Sequence, residues 1–400
     1  MAGGTGAVRR RRVLYIPGYD PFPPRRYREL YRREAAAQAA ISGFRIVVTS
    51  GTGPETWRVT AQVEGASVET GIDVLVWSDI VRVSMSPSIL ATYVQLVRTA
   101  WAYLGSGALF RLARLRKGPT IAALYPIAVL LGQLAIGLAA ARGLGAVLAA
   151  SGLPGVGWLG LVVVWPVLAW FRARDRRLFA WYLMHDYAHT ASRGGAYPPE
   201  LEDRLGAFAD RIAAALAEDV DEVLVVGHSS GAHLAVSILA DLLRSGRVPE
   251  DGPALSLLTL GQVVPMVSFL PRANRLRADL WLMAGQGRIP WVDVTAPGDG
   301  CAFALCDPVA VSGVAPEPQR WPLVISAAFS HTLSSARWRA LRWRFFRLHF
   351  QYLCAFDRPR TYDYFRVTAG PLTLGARFAG QPPSPGRIAT PLNWFAATMP

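Results

Sequence analysis

The residues best equipped for chemistry lie in one stretch, Gly227-His228-Ser229-Ser230-Gly231. Four β-formers, Val223-Leu224-Val225-Val226, run into it. Leu234, Ala235, Ile238, Leu239 and Leu242 follow at helical spacing. The pattern reads strand, tight turn, helix. A serine on so sharp a turn sits in a strained backbone, and side chains at 227 and 231 would strike the adjoining strand and helix. The turn exposes the Ser229 hydroxyl at the end of a sheet. It also aims the Ser230 N–H, close to a helix N-terminus, at an oxyanion formed there. A nucleophile that attacks carbonyl carbon needs both. A second candidate, His185-Asp186-Tyr187-Ala188-His189, has two histidines at a zinc-like spacing. Asp replaces the Glu of H-E-x-x-H and no third ligand is in view, so these read as helix-surface histidines and no metal is expected.

Strand, G-x-S-x-G turn and helix together resemble the nucleophile elbow of the α/β-hydrolase superfamily, above all its lipase and esterase members. The likeness is specific at the elbow and topological elsewhere, and it covers both ends of the chain. It implies an α/β fold: an α/β-hydrolase-like, mostly parallel sheet flanked by helices, here interrupted by a transmembrane helical hairpin. It also implies the chain order serine, acid, histidine. Asp299, just past the strand at 291–295, stands where the acid loop belongs, with Asp307 as the alternative. Asp293 falls inside that strand and reads as structural. His331 directly follows the last strand and is slightly favoured as the base; His349 is the rival. His228 and His233 are too near Ser229 in sequence to serve. Relatives of this type draw a second oxyanion donor from a Gly-containing loop after an early strand. Here that loop is Pro17-Gly18-Tyr19, so the donor beside Ser230 is Gly18 or Tyr19. The implied activity is cleavage of a carboxylic ester, small-molecule or lipid, through an acyl-enzyme on Ser229, with no cofactor. A thioesterase or acyltransferase would use the same residues. A non-catalytic membrane scaffold would keep the fold alone.

The elements that must position these groups are readable around them. Val13-Leu14-Tyr15-Ile16 is a buried strand entering the Pro17-Gly18 loop, and Tyr27 to Ala40 is a helix. Phe44–Val48, Trp57–Val63 and Ile72–Trp77 are further strands. Pro199 to Ala217 is an amphipathic helix leading to the elbow strand. Leu255–Leu260, Trp291–Thr295 and Pro322–Phe329 supply strands after it, and Trp281–Pro290 fits no pattern. Strands alternating with helices give a largely parallel sheet. Ser335 to Tyr352 mixes five arginines with Trp and Phe and reads as one basic, aromatic helix. The tail from Thr361 reads as irregular and packed at the surface.

The middle is foreign to such a sheet. Ser88 to Phe110 reads as an apolar helix. Gly118 to Ala141 carries no charge over about 24 residues, enough to cross a hydrocarbon core. Arg142 interrupts, Ser151-Gly152-Leu153-Pro154-Gly155 signals a turn, and Trp158 to Phe171 is apolar on every side. The expectation is two transmembrane helices, about 120–141 and 151–171. The chain then divides into 1–117, a hairpin at 118–172, and 173–400. Arg111, Arg114, Arg116 and Lys117 precede the hairpin; Arg172, Arg174, Arg176 and Arg177 follow it. Both ends should therefore be cytoplasmic, in a multi-pass cell-membrane protein.

Composition agrees. The 400 residues are 52% hydrophobic with a formal charge of +14. Nothing resembles a nucleic-acid module, so the basic balance favours an anionic membrane over nucleic acid. Three cysteines make no disulfide framework and suit a reducing compartment. Met1 to Arg12 has no apolar run of the kind a signal peptide needs.

Overall fold

The computed structural model describes residues 6–85 and 88–398. Eight strands form one sheet: β1 Arg10–Ile16, β2 Arg45–Ser50, β3 Thr56–Val63, β4 Ala66–Val74, β5 Glu222–His228, β6 Ala254–Leu260, β7 Trp291–Thr295 and β8 Leu323–Ser326. Their order is β2-β3-β4-β1-β5-β6-β7-β8. β2, β3 and β4 pair antiparallel, and every pair from β4 to β8 is parallel. The pattern of burial follows. β3 alternates buried and exposed along most of its length, whereas β5 at the centre is buried at all seven positions. Two cores lie on the two faces. One packs the helices Pro199–Leu216, Gly231–Arg244 and Asn274–Gly285 against Leu14, Val223 and Leu257. The other packs the helix Arg25–Ser42 and the C-terminal aromatics against Val13, Leu224 and Val292.

The tail is part of that second core. Tyr362, Tyr364, Phe365 and Val367 are buried, and Tyr364–Ala369 is helical. Arg11 and Glu222, both fully buried, pair at 2.6 Å at the start of the central strands. Arg11 also donates to the Gly370 carbonyl, and Glu222 accepts from Leu374 N–H at 2.7 Å. An ion pair so deep requires its remaining bonds to be filled, and the tail fills them. Two other segments depart from the sequence pattern. Trp281 lies in the helix Asn274–Gly285, which ends before the Pro290 turn. The basic stretch is not one helix but Ser335–Leu341, Phe345–His349 and a 3₁₀ turn Phe350–Leu353. The breaks turn Leu348, His349 and Tyr352 into the core and leave Trp343 outside.

Two helical stretches, Lys117–Ala149 and Val156–Ala173, are long and apolar enough to cross a membrane. The first runs straight through Arg142, whose side chain is exposed, and stops only near Gly152. Pro126 lies inside the helix and removes one backbone donor, but the helix continues past it, and arginine at 142 is a favourable helix residue. At about 1.5 Å per residue the 33-residue helix is about 50 Å long. The second begins as a 3₁₀ stretch Val156–Val163 and becomes α-helical at Val164–Ala173. Small residues let the two touch. A Cβ on Gly145 would lie 2.5 Å from the Gly157 carbonyl oxygen, and one on Gly160 would strike the Ala141 carbonyl. Close approach through glycines is how apolar helices associate where lipid removes the hydrophobic drive. Outward, Ile121, Leu131, Ile136, Val147, Trp158, Val162 and Trp165 are exposed.

Candidate active site

β5 delivers Ser229 to the end of the parallel strands. Its backbone has φ +56°, the left-handed region that a non-glycine residue rarely occupies. The turn is closed by Ser229 N–H donating to the Leu260 carbonyl at 2.9 Å. A Cβ on Gly227 would lie 2.6 Å from the Gly231 oxygen, and one on Gly231 would strike the Ile16 carbonyl. Both positions therefore exclude any side chain, and the helix Gly231–Arg244 can start flush against β1. Gly18 abuts the serine: a Cβ there would be 2.9 Å from Ser229 Cβ and 3.3 Å from its Oγ. The loop is anchored by Trp77 Nε1–H, which donates to the Pro17 carbonyl at 2.9 Å. The Tyr182 hydroxyl donates to the Tyr19 carbonyl. Among the described residues no turn or loop hydrogen bond occupies the N–H of Gly18, Tyr19 or Ser230.

Asp299 and His349 meet across 50 residues of chain. His349 Nδ1 and Asp299 Oδ2 are 2.7 Å apart, and both side chains are buried. Tyr352, one turn beyond His349, donates its hydroxyl to the same Oδ2 at 3.0 Å, and Cys301 N–H donates to Oδ1 at 2.9 Å. Burial works against the Asp299 charge, but the imidazole and these donors outweigh it and hold the carboxyl below its usual value. Asp299 is therefore the acceptor, Nδ1 carries the proton, and Nε2 is left as the basic nitrogen. That Nε2 is buried without a hydrogen-bond partner. His228 Nε2–H donates to the His349 carbonyl at 3.0 Å and holds the segment in place. Burial drives the His228 pKa down to about 3, so it stays neutral.

Gly18, Tyr19, Ser229, Ser230, His349 and Cys301 line one cavity. His331 is exposed on the short helix Phe329–Thr332 and is not among that cavity's lining residues. Asp307 is engaged elsewhere. It caps the helix Pro308–Val311 and accepts from Arg387 Nη2 at 2.5 Å and Gln319 at 2.8 Å. Asp293 is buried in β7 with Oδ1 accepting from Thr259, and Oδ2 has no partner. His233 stacks on Tyr197 and shares a 2.9 Å hydrogen bond with it.

The side of the cavity opposite the sheet belongs to the middle of the chain. Tyr182, Leu183, Asp186, Tyr187 and Thr190, from the cover helix Ala180–Ala191, join Pro119 at the base of the first long helix. Gly118 sits against Gly300 of the Asp299 loop, with a Cβ there 3.1 Å from the Gly300 Cα. The His185–His189 pair faces inward rather than to the surface. His185 Nδ1 bonds Gln95 at 2.9 Å, and His189 packs on Tyr19 and Trp77. Asp299, Cys301 and His349 have ligand atoms within 4.8 Å of one another, but a cation there would have to break the Nδ1–Oδ2 bond. Tyr352, Asp186 and Cys301 escaped the sequence reading as site residues. Asp186 figures there only as the Asp of the zinc-like histidine stretch, and Tyr352 only as a neighbour three residues after His349.

A strained serine, a basic nitrogen oriented by a carboxylate, and free backbone donors on one cavity can carry acyl transfer through a covalent intermediate. No protein-family model, no curated protein and no solved structure matches the chain.

Proposed function

We propose that the protein is a membrane-anchored serine hydrolase of carboxylic esters with an α/β-hydrolase-like fold. The observation that carries this reading is the Asp299–His349 pair, 2.7 Å apart, on the same cavity as a serine at φ +56°. In this mechanism Ser229 Oγ attacks the ester carbonyl carbon and His349 Nε2 takes its proton. The N–H groups of Ser230 and of Gly18 or Tyr19 bind the oxyanion. The intermediate collapses, the ester bond breaks, and His349 returns the proton to the departing alcohol. Water, deprotonated by the same nitrogen, then releases the acid from Ser229. Oγ and Nε2 share no hydrogen bond; catalytic bonds of this kind are often completed only in the Michaelis complex. The two long apolar helices support the membrane anchor. Exposed Arg114, Lys117, Arg174, Arg176 and Arg177 at their shared end support a cytoplasmic catalytic domain.

A fluorophosphonate probe tests the assignment. Wild type should be labelled covalently, and Ser229→Ala should not, while its circular dichroism stays that of wild type. Equal labelling of the two proteins would overturn the reading.

A further inference from the structure

The charge of the cavity runs against the charge of the chain. The sequence carries +14 overall, yet no Lys or Arg is among the cavity's lining residues, and its two charged lining side chains other than histidine are Asp20 and Asp186. The two carboxylates differ. Asp20 is already engaged, accepting from the Tyr27 hydroxyl at 2.6 Å and Phe22 N–H at 2.9 Å. Asp186 stands on the cover helix and lines the same cavity as Ser229, with no hydrogen-bond or ion-pair partner among the described residues. A half-buried carboxylate on a cavity wall with no protein donor is open to a donor from a ligand. Burial pushes its pKa up to about 7, and the nearby His349 pulls the other way. Rings surround it. Tyr19, Tyr182, Tyr187, Phe346 and Phe350 line the same cavity, with Tyr19–Tyr182 centroids 6.1 Å apart and Tyr182–Phe346 5.9 Å apart. Arg26 lies over the Phe22 and Phe350 rings and acts on Asp20, not on Asp186.

A ring of aromatic faces with one free carboxylate is a site for a substituted ammonium group. Resting on the hydrolase reading above, we propose that the substrate is an ester whose alcohol part carries an ammonium nitrogen, bound by Asp186 among Tyr19, Tyr182 and Phe346 while Ser229 attacks the carbonyl. Asp186 thereby determines specificity, while attack, proton transfer and oxyanion binding stay with the groups already described. A carboxylate accepts the N–H of a protonated amine, and bringing that cation in restores the ionised form that burial disfavours. The cation also neutralises a charge that would otherwise sit in the cavity unpaired.

The test compares two isosteric probes, 2-(dimethylamino)ethyl butyrate, protonated at pH 7, and 3-methylbutyl butyrate, which has carbon in place of nitrogen. Wild type in detergent should favour the cationic ester in kcat/KM by about tenfold to a hundredfold, the range of a hydrogen bond to a charged group. Asp186→Asn should erase most of that preference and leave the neutral ester within about threefold, as a group touching only the ammonium would. A readout without turnover accompanies it: protection of Ser229 from fluorophosphonate by 2-(dimethylamino)ethyl butyl ether, which should be lost in Asp186→Asn. Labelling without preferential hydrolysis or protection by the cationic compounds overturns the ammonium site and leaves the hydrolase standing. Equal loss of both esters in the variant also overturns it, because Asp186 would then act on His349. Absence of Ser229 labelling overturns the hydrolase reading and this site together.

Discussion

At the scale of single residues, the strained turn at Ser229 is legible in the sequence and the residues that share its cavity are not, for a physical reason. The Ser229 turn is local: glycines at 227 and 231 and the apolar runs beside them carry its geometry. The choice between His331 and His349 depends on where the chain travels after β8, which no local spacing records. His331 is exposed, and His349 meets Asp299 only because two breaks fold residues 335–353 back over the sheet. His349→Ala should therefore lower kcat toward an ester by about 10³-fold or more, and His331→Ala should leave it within a few-fold. Steady-state kinetics on the two variants, each checked for fluorophosphonate labelling, decide this; comparable activity in both removes His349 as the base. Asp293 yields a second prediction. Burial raises its pKa to about 8, so the folded chain holds a proton at neutral pH that the unfolded chain has released. A raised folded pKa on an acid means stability falls as pH rises from the unfolded value, near 4, through about 8. Asp293→Asn keeps the shape and removes that penalty. It should raise the melting temperature at pH 7 to 8, by about 1–3 kcal/mol of stability, and the gain should vanish near pH 4. A variant that is destabilised alike at both pH values would show that the second carboxyl oxygen serves another purpose.

At the scale of elements, β-strands and amphipathic helices were legible wherever a period could be counted. β1, β5, β6 and β7 fall where their apolar runs lie, and the helix Pro199–Leu216 begins on its proline. Segments whose burial comes from long-range packing were not. The tail is held because Arg11 and Glu222 bond the backbone of Gly370, Leu372 and Leu374, just past the buried helix Tyr364–Ala369, and neither residue signals this in its own neighbourhood. The cover helix misled for a related reason. His185 and His189 share one helix face, which looks like surface until Gln95 and Tyr19 are packed on it. Contact between the two long stretches makes an element-level prediction. Gly160→Leu would drive a side chain into the Ala141 carbonyl, whereas Gly132 on the same hairpin has open space within 4 Å of a Cβ. Gly160→Leu should splay the pair, lowering the melting temperature in detergent by several degrees, and Gly132→Ala should be neutral or slightly stabilising. Equal tolerance of both substitutions would mean the two stretches do not depend on each other.

At the scale of the whole molecule, composition announced an apolar middle, but not that its base is built into the sheet domain. Arg116 donates to the Ala304 carbonyl at 2.7 Å, and Arg111 is buried against Trp394 and bonded to Ser106 and Asn393. These two flanking arginines fasten the long helix to the sheet domain, leaving Arg114, Lys117, Arg174, Arg176 and Arg177 exposed for a lipid surface. Trp181 Nε1–H donates to Gln133 at 3.1 Å, so the inner part of the hairpin also supports the cover helix. The outer part, Ile136–Val163, can be removed without touching that bond. Replacing it with a Gly-Ser linker leaves remnants unable to cross and return, so attachment would fall to the exposed arginines at about 1 kcal/mol each near an anionic surface. Screening at about 1 M salt shortens such attraction to about 3 Å. The truncated protein should therefore wash from membranes at high salt while Ser229 is still labelled by fluorophosphonate, because the cavity keeps Pro119, Tyr182 and His349. The intact protein should stay with the membrane through the same wash and come off only in detergent. Release of the intact chain by salt alone would show that Lys117–Ala149 and Val156–Ala173 lie on the membrane or against another protein and do not span it.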